Sequence, residues 1–72
     1  MKTVENVHKQ LVGLLQDLEV DPKIGFVNDY EWGMDNAIEC ILAYIESRPA
    51  FYRDRQGKHS KKDMQNFPEY FV

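Results

Sequence analysis

The chain has 72 residues, one cysteine, two histidines and a net charge of −3. That length allows one domain, with a core too small to be secure without some additional staple. A single cysteine excludes an internal disulfide, one Cys with two His offers no metal cluster, and no apolar run reaches the ~20 residues of a membrane span.

The charge is unevenly placed. Residues 1–47 carry three lysines against nine carboxylates, and residues 48–72 carry six cations against three carboxylates. An acidic body followed by a basic segment is the main charge feature. The opening MKTVENVHKQ lacks the pattern of a secretory signal, and a lone cysteine suits a reducing compartment, so a cytoplasmic location is expected.

Residues 2 to about 19 read as the first helix. Val4, Val7, Leu11, Leu14 and Leu18 recur three and four apart, with Val12 and Leu15 alongside. Thr3 is placed to cap it. The connection VDPKIGFV, residues 20–27, begins with the turn pair Asp21-Pro22 and holds Gly25, where a positive φ is permitted. Its Ile24, Phe26 and Val27 are too apolar for a solvated loop and are expected to close the end of a helical hairpin.

The second helix, residues 28–47, is the best in the chain. Asn28 is its N-cap, and Glu31 three residues on completes a capping box. Val27 and Trp32 are spaced for a hydrophobic staple. Asp29, Glu31 and Asp35 crowd the positive end of the helix dipole. Met34, Ile38, Ile41 and Ile45 define the expected buried face, widened by Ala37, Leu42 and Tyr44. Gly33 and Ala37 form a small pair four residues apart. Either a neighbouring backbone passes close there, or the helix tolerates the cost of about 1 kcal/mol that an interior glycine carries relative to alanine. Pro49 is the stop.

Beyond Pro49 the pattern weakens. Ala50 to Gln56 is consistent with a short helix, capped by Ser47 and closed by Gly57. GKHSKKD reads as a basic loop. Ser60 with Asp63 predicts one more helical turn over Lys61 to Asn66, ended by Pro68. The stretch FPEYFV holds three aromatics, Phe67, Tyr70 and Phe71, which either fold back over the hairpin or stand exposed as a binding patch; fold-back is favoured.

Chemistry is hard to find. Ser47 and Ser60 are explained as caps, and Ser60 beside His59 is not a triad because adjacent side chains diverge. Cys40 has Glu39 and Glu46 near it in sequence rather than a cation to activate it. An EF-hand loop counted from Asp17 has Pro22 at its sixth position and Asn28 at its twelfth, and fails. GKHS resembles the end of a phosphate loop, but His59 stands where Ser or Thr belongs and Tyr52 where the first Gly belongs. No enzyme, metal or cofactor is expected.

Binding chemistry concentrates in residues 48–62. Arg48, Arg53, Arg55, Lys58, Lys61 and Lys62, interleaved with Phe51 and Tyr52, can meet a protein partner or phosphates. The competing reading is an arm that pairs with the chain's own acidic helices, and the acidity of the remainder favours it. Trp32, Tyr70 and Phe71 are candidate aromatic hot spots.

The stretch Tyr30 to Ile45, YEWGMDNAIECILAYI, resembles a helix of small helical proteins encoded by bacteriophages and prophages: an aromatic, a glycine, a polar pair, then Ala-Ile with Ile or Leu at helical spacing. The resemblance covers under a quarter of the chain and carries no site residue with it. It implies a context in which small proteins bind, inhibit or sequester a host component.

The expected architecture is all-α: an antiparallel hairpin over residues 1–48, with a basic arm and aromatic tail over residues 49–72 packing on it. A dimer forming a helical bundle is expected to cover flanks such as Val12, Leu15, Leu42 and Tyr44. The expected function is a non-enzymatic interaction protein that inhibits or modulates a partner; the alternative is a binder of nucleic acid or of a small phosphorylated ligand.

Overall fold

The computed structural model describes residues 3–18, 20, 21 and 23–71. Lys2 and Glu19, the expected limits of the first helix, and Pro22 of the expected turn lie outside the described residues. Helix α1 spans Val4–Asp17 and helix α2 spans Asp29–Glu46. They pack against each other. His8 near the start of α1 bonds Glu46 at the end of α2, while Leu15 near the end of α1 shares a cleft with Asp35, so the two helices run antiparallel.

The local signals for helix ends act as the sequence implies. Thr3 Oγ1 accepts from Asn6 N–H at 3.2 Å, and Asn28 Oδ1 accepts from Glu31 N–H at 2.8 Å. Each removes one orphan donor of a first turn. The carboxylate of Glu31 does not return the bond: its Oε2 is buried without a hydrogen-bond partner. Helix α2 ends before Pro49 acts. Ser47 takes a left-handed conformation at φ 55°, and Arg48 N–H reaches back to Ala43 O at 3.0 Å. Ser47 is therefore the stop of α2 and not the cap of a following helix.

Two expectations fail in the connecting segments. Residues between the helices form a short antiparallel pair, β1 (Val20–Asp21) and β2 (Gly25–Phe26), with Val20 opposite Phe26. The chain is thus helix-rich with a two-stranded sheet, not all-α. The helix expected over Ala50 to Gln56 does not form either. Asp54 organises a tight turn instead, its Oδ1 accepting from Gln56 N–H and Lys58 N–H at 3.0 Å each, and Arg53 bridges His59. An aspartate that bonds its own backbone two residues on offers the chain an alternative to helix.

Gly25 and Gly57 both sit at φ 82°. A Cβ on Gly25 collides with the backbone of Arg55 and Gln56, whereas one on Gly57 meets the side chain of Val20. Backbone cannot give way as a side-chain methyl can. Gly25→Ala is expected to destabilise by more than Gly57→Ala, read from urea midpoints of the two variants.

Helix α3 occupies Lys61–Asn66 as the Ser60 cap implies, and a single 3₁₀ turn, Pro68–Tyr70, follows. The buried apolar residues are Phe26, Ile38, Leu42, Ala43 and Phe51. Helix α1 contributes half-buried residues and no fully buried one; Val4 and Leu14 of its expected stripe are exposed. Among the described residues, no helix is long and apolar enough to cross a membrane.

The face that α2 buries is rotated from the one its apolar spacing implies. Asp35, Ile38, Leu42 and Ala43 are buried, while Ile41 is 46% exposed and Tyr44 87% exposed. Asp35 does not decorate the helix end; it is 2% exposed.

Candidate functional site

A buried carboxylate needs a partner, and the basic arm supplies it. After α2 the chain doubles back along that helix, and each arginine meets an acid in turn. Arg48 grips Glu39 through two bonds of 2.6 and 3.1 Å and sends its Nε–H to Glu46 at 2.9 Å. Arg53 grips Asp35 through both Nε, at 3.1 Å, and Nη2. Arg55 pairs with Asp29 at 2.9 Å and donates to the carbonyl of Phe26. Backbone bonds interleave with these. Phe51 N–H donates to Glu39 at 2.9 Å, Arg53 N–H to Asn36 at 3.2 Å, and Phe26 N–H to Arg55 O at 3.0 Å.

The electrostatics follow. The hydrogen bonds that Arg48 donates to the Glu39 carboxylate raise the Arg48 pKa above its already high ordinary value. Glu46 is held below the ordinary carboxylate value, first by Arg48 and then by His8. These are forked pairs along a groove, the geometry that suits guanidinium rather than ammonium.

The aromatic candidates are held in the same way. Trp32 is half-buried, with its indole N–H donating to Arg53 O at 2.8 Å. Phe51, 5% exposed, is the hub of the tail: its ring lies 5.4 Å from Phe67, 5.2 Å from Tyr70 and 5.0 Å from Phe71. The tail has folded back. Phe71 also meets the His59 ring edge-on at 4.9 Å, and Tyr70 stays about half exposed.

Two adjoining clefts, of about 300 and 240 Å³, lie between α2 and the arm, the first closed by α1 and the second by the tail, and Glu39, Phe51 and His59 line both. Their carboxylates are already engaged by arginine. Among the described residues, no serine, threonine or cysteine lines either cleft, and the Tyr70 phenol lines the smaller one. Among the described residues, no group of three or more His, Cys, Asp and Glu is placed to hold a metal ion.

Of the basic candidates, the structure brings Arg48, Arg53 and Arg55 together against α2 and leaves Lys58, Lys61 and Lys62 exposed with no ion pair among the described residues. Tyr52 is 48% exposed. The neighbouring Cys40 thiol raises the Tyr52 pKa above the ordinary phenol value.

Ala37, Ile41 and Tyr44, which the spacing assigns to the buried face, lie instead on an exposed surface with Tyr30, Gly33 and Cys40. At 100° per residue, Tyr30, Gly33, Ala37, Cys40, Ile41 and Tyr44 fall within an arc of about 100° on α2. All six are exposed and none is charged. Tyr30 is 75% exposed and Tyr44 87%. One signal for this was present in the sequence. Glu31, Asp35 and Glu39 stand four apart, so α2 carries an acidic stripe. A basic arm immediately downstream is matched to that stripe, and the opposite side of the helix is then the one left to solvent. Compared with known proteins, the chain matches no family model, no curated protein and no solved structure.

Proposed function

We propose that the chain is a small non-enzymatic interaction protein, which binds a partner protein through the outer face of α2 and so inhibits or modulates it. The observation that carries this reading is the engagement of all three arginines within the chain, Arg48 and Arg53 in the groove and Arg55 at its rim. With Arg48, Arg53 and Arg55 satisfied by Glu39, Asp35 and Asp29, the arm offers little to a phosphate backbone. The uncharged face bearing Tyr30, Ile41 and Tyr44 remains on offer. Exposed aromatics on a rigid helix, free of charge, are the composition of interface centres. The likeness of α2 to helices of small phage proteins points to a host protein as the partner, and self-association as a dimer belongs to the same reading.

The test is capture of a partner by the tagged full chain from lysate of the cell in which it acts, with and without nuclease. A stoichiometric protein is expected in both halves, lost with Tyr44→Glu and kept when Lys58, Lys61 and Lys62 are all changed to glutamate. The reverse pattern, with capture abolished by nuclease or by the lysine changes, favours the nucleic-acid reading.

A further inference from the structure

We infer that the outer face of α2, when no partner protein occupies it, is matched to a second copy of the chain, with α2 crossing its symmetry mate antiparallel on a twofold axis at Ala37, so that partner and second copy compete for one face; this rests on reading that face as the interaction surface. A twofold contact is self-complementary: residue i meets j, and j meets i. The exposed arc of α2, with the half-buried Met34 at its edge, has that property about Ala37. Tyr30 and Tyr44 lie seven positions to either side, Gly33 and Ile41 four, Met34 and Cys40 three. An antiparallel crossing places Tyr30 against the partner's Tyr44, Ile41 over the gap at the partner's Gly33, and Met34 beside the partner's Cys40. Bulk meets gap where Ile41 lies over Gly33, and the tyrosines pack against each other at the two ends.

No packing among the described residues of the protomer requires a glycine at position 33. A Cβ built there meets nothing within 4 Å, so no neighbouring segment of its own chain needs the space. A second helix crossing closely at Ala37 uses it.

Area and charge agree. Tyr30 and Tyr44, 75% and 87% exposed, offer roughly 300 Å² between them at the size of an aromatic side chain. With Ile41, Ala37, Cys40 and Met34 the total is roughly 500 Å² a side, or about 1,000 Å² for the pair, the lower end of specific interfaces. Each protomer carries net charge −3, and two copies repel at a distance. The arc itself is uncharged, so the contact buries no pair of like charges. Antiparallel crossing also sets the positive end of each helix dipole beside the negative end of the other.

The test is sedimentation equilibrium of the full chain from about 5 to about 500 µM, a range that brackets the affinity such an area allows. The mass is expected to rise from 8.5 kDa towards twice that value. Ala37→Glu, which sets two carboxylates on the axis, is expected to stay at protomer mass with unchanged helix content. Ala37→Cys in a Cys40→Ser background is expected to give a disulfide-linked dimer on mild oxidation, an outcome that demands no destabilising change. Protomer mass at every concentration overturns the inference. So does a dimer that survives Ala37→Glu and fails to cross-link through Cys at position 37. A monomer whose partner capture still depends on Tyr44 overturns this inference alone, while an intact dimer whose capture ignores Tyr44 overturns the partner reading alone.

Discussion

Arg53→Ala is expected to unfold the protein, or to leave it only marginally folded. Asp35 is 2% exposed, and Arg53 engages both of its carboxylate oxygens. Removing the guanidinium leaves an uncompensated charge in the core, which costs about 3–5 kcal/mol. A chain of this length has a total stability of about 4–11 kcal/mol at the usual value per residue. Arg53 does more than neutralise. Its N–H bonds Asn36, its carbonyl receives Trp32, and its guanidinium lies 5.1 Å from the centroid of the Phe26 ring. Arg53→Lys keeps the charge but loses the fork, so it falls between wild type and alanine. Replacing both partners, Asp35→Leu with Arg53→Met, removes the orphaned charge and is expected to recover much of the loss. Urea denaturation followed by circular dichroism orders the four proteins. An Arg53→Ala protein within about 1 kcal/mol of wild type would mean that the ion pair does not hold the arm.

Phe51→Ala is the second large effect. The side chain is 5% exposed, and three tail aromatics pack on its ring at 5.0–5.4 Å. Truncating a buried phenylalanine costs about 3–5 kcal/mol through lost transfer energy and the cavity left behind. Phe67, Tyr70 and Phe71 lose their common contact, so the tail is released before the helices melt. Limited chymotrypsin digestion is expected to cut after Tyr70 in the variant under conditions where wild type resists. Phe51→Leu keeps most of the volume and is expected to lose about half as much. Equal tail resistance in Phe51→Ala and wild type would place the tail's anchor elsewhere.

The parts of the fold legible in the sequence are those decided within a few residues. Asn28, Thr3 and Ser60 cap helices because each needs only an N–H three positions on. The helices themselves follow from apolar spacing, and the fold-back of the tail from the scarcity of other cover. What failed depends on partners far along the chain. The buried face of α2 is misread by about 100° because apolar spacing assigns every carboxylate to solvent. Asp35 is buried only because Arg53 arrives from eighteen residues downstream. The segment after Pro49 is extended because its backbone donors are taken by Glu39 and Asn36 on α2, a choice no local propensity encodes. The β1–β2 pair is set by Arg55, whose carbonyl receives Phe26 N–H and whose guanidinium reaches Phe26 O.

The same long-range pairing separates the two halves of the candidate surface. Arginines that could meet phosphates, but that the acidity of the chain assigns to its own helices, are the mortar between arm and helix. Residues that read as core, Ile41 and Tyr44, are exposed. The Arg–acid ladder and the outer face are two sides of one helix, and the orientation of α2 decides both.

That orientation is tested most directly in the arginine side-chain region of a ¹⁵N-labelled spectrum. The chain has three arginines, Arg48, Arg53 and Arg55, and their Nε groups face Glu46, Asp35 and Asp29. Three dispersed Nε–H resonances are predicted, unmoved when a short single-stranded oligonucleotide is added at low salt, where phosphate contacts are strongest. Three resonances collapsed at the solvent-exposed position, or shifting together with the oligonucleotide, would contradict the account: the arm would face outward, and the outer face of α2 would no longer be the surface on offer.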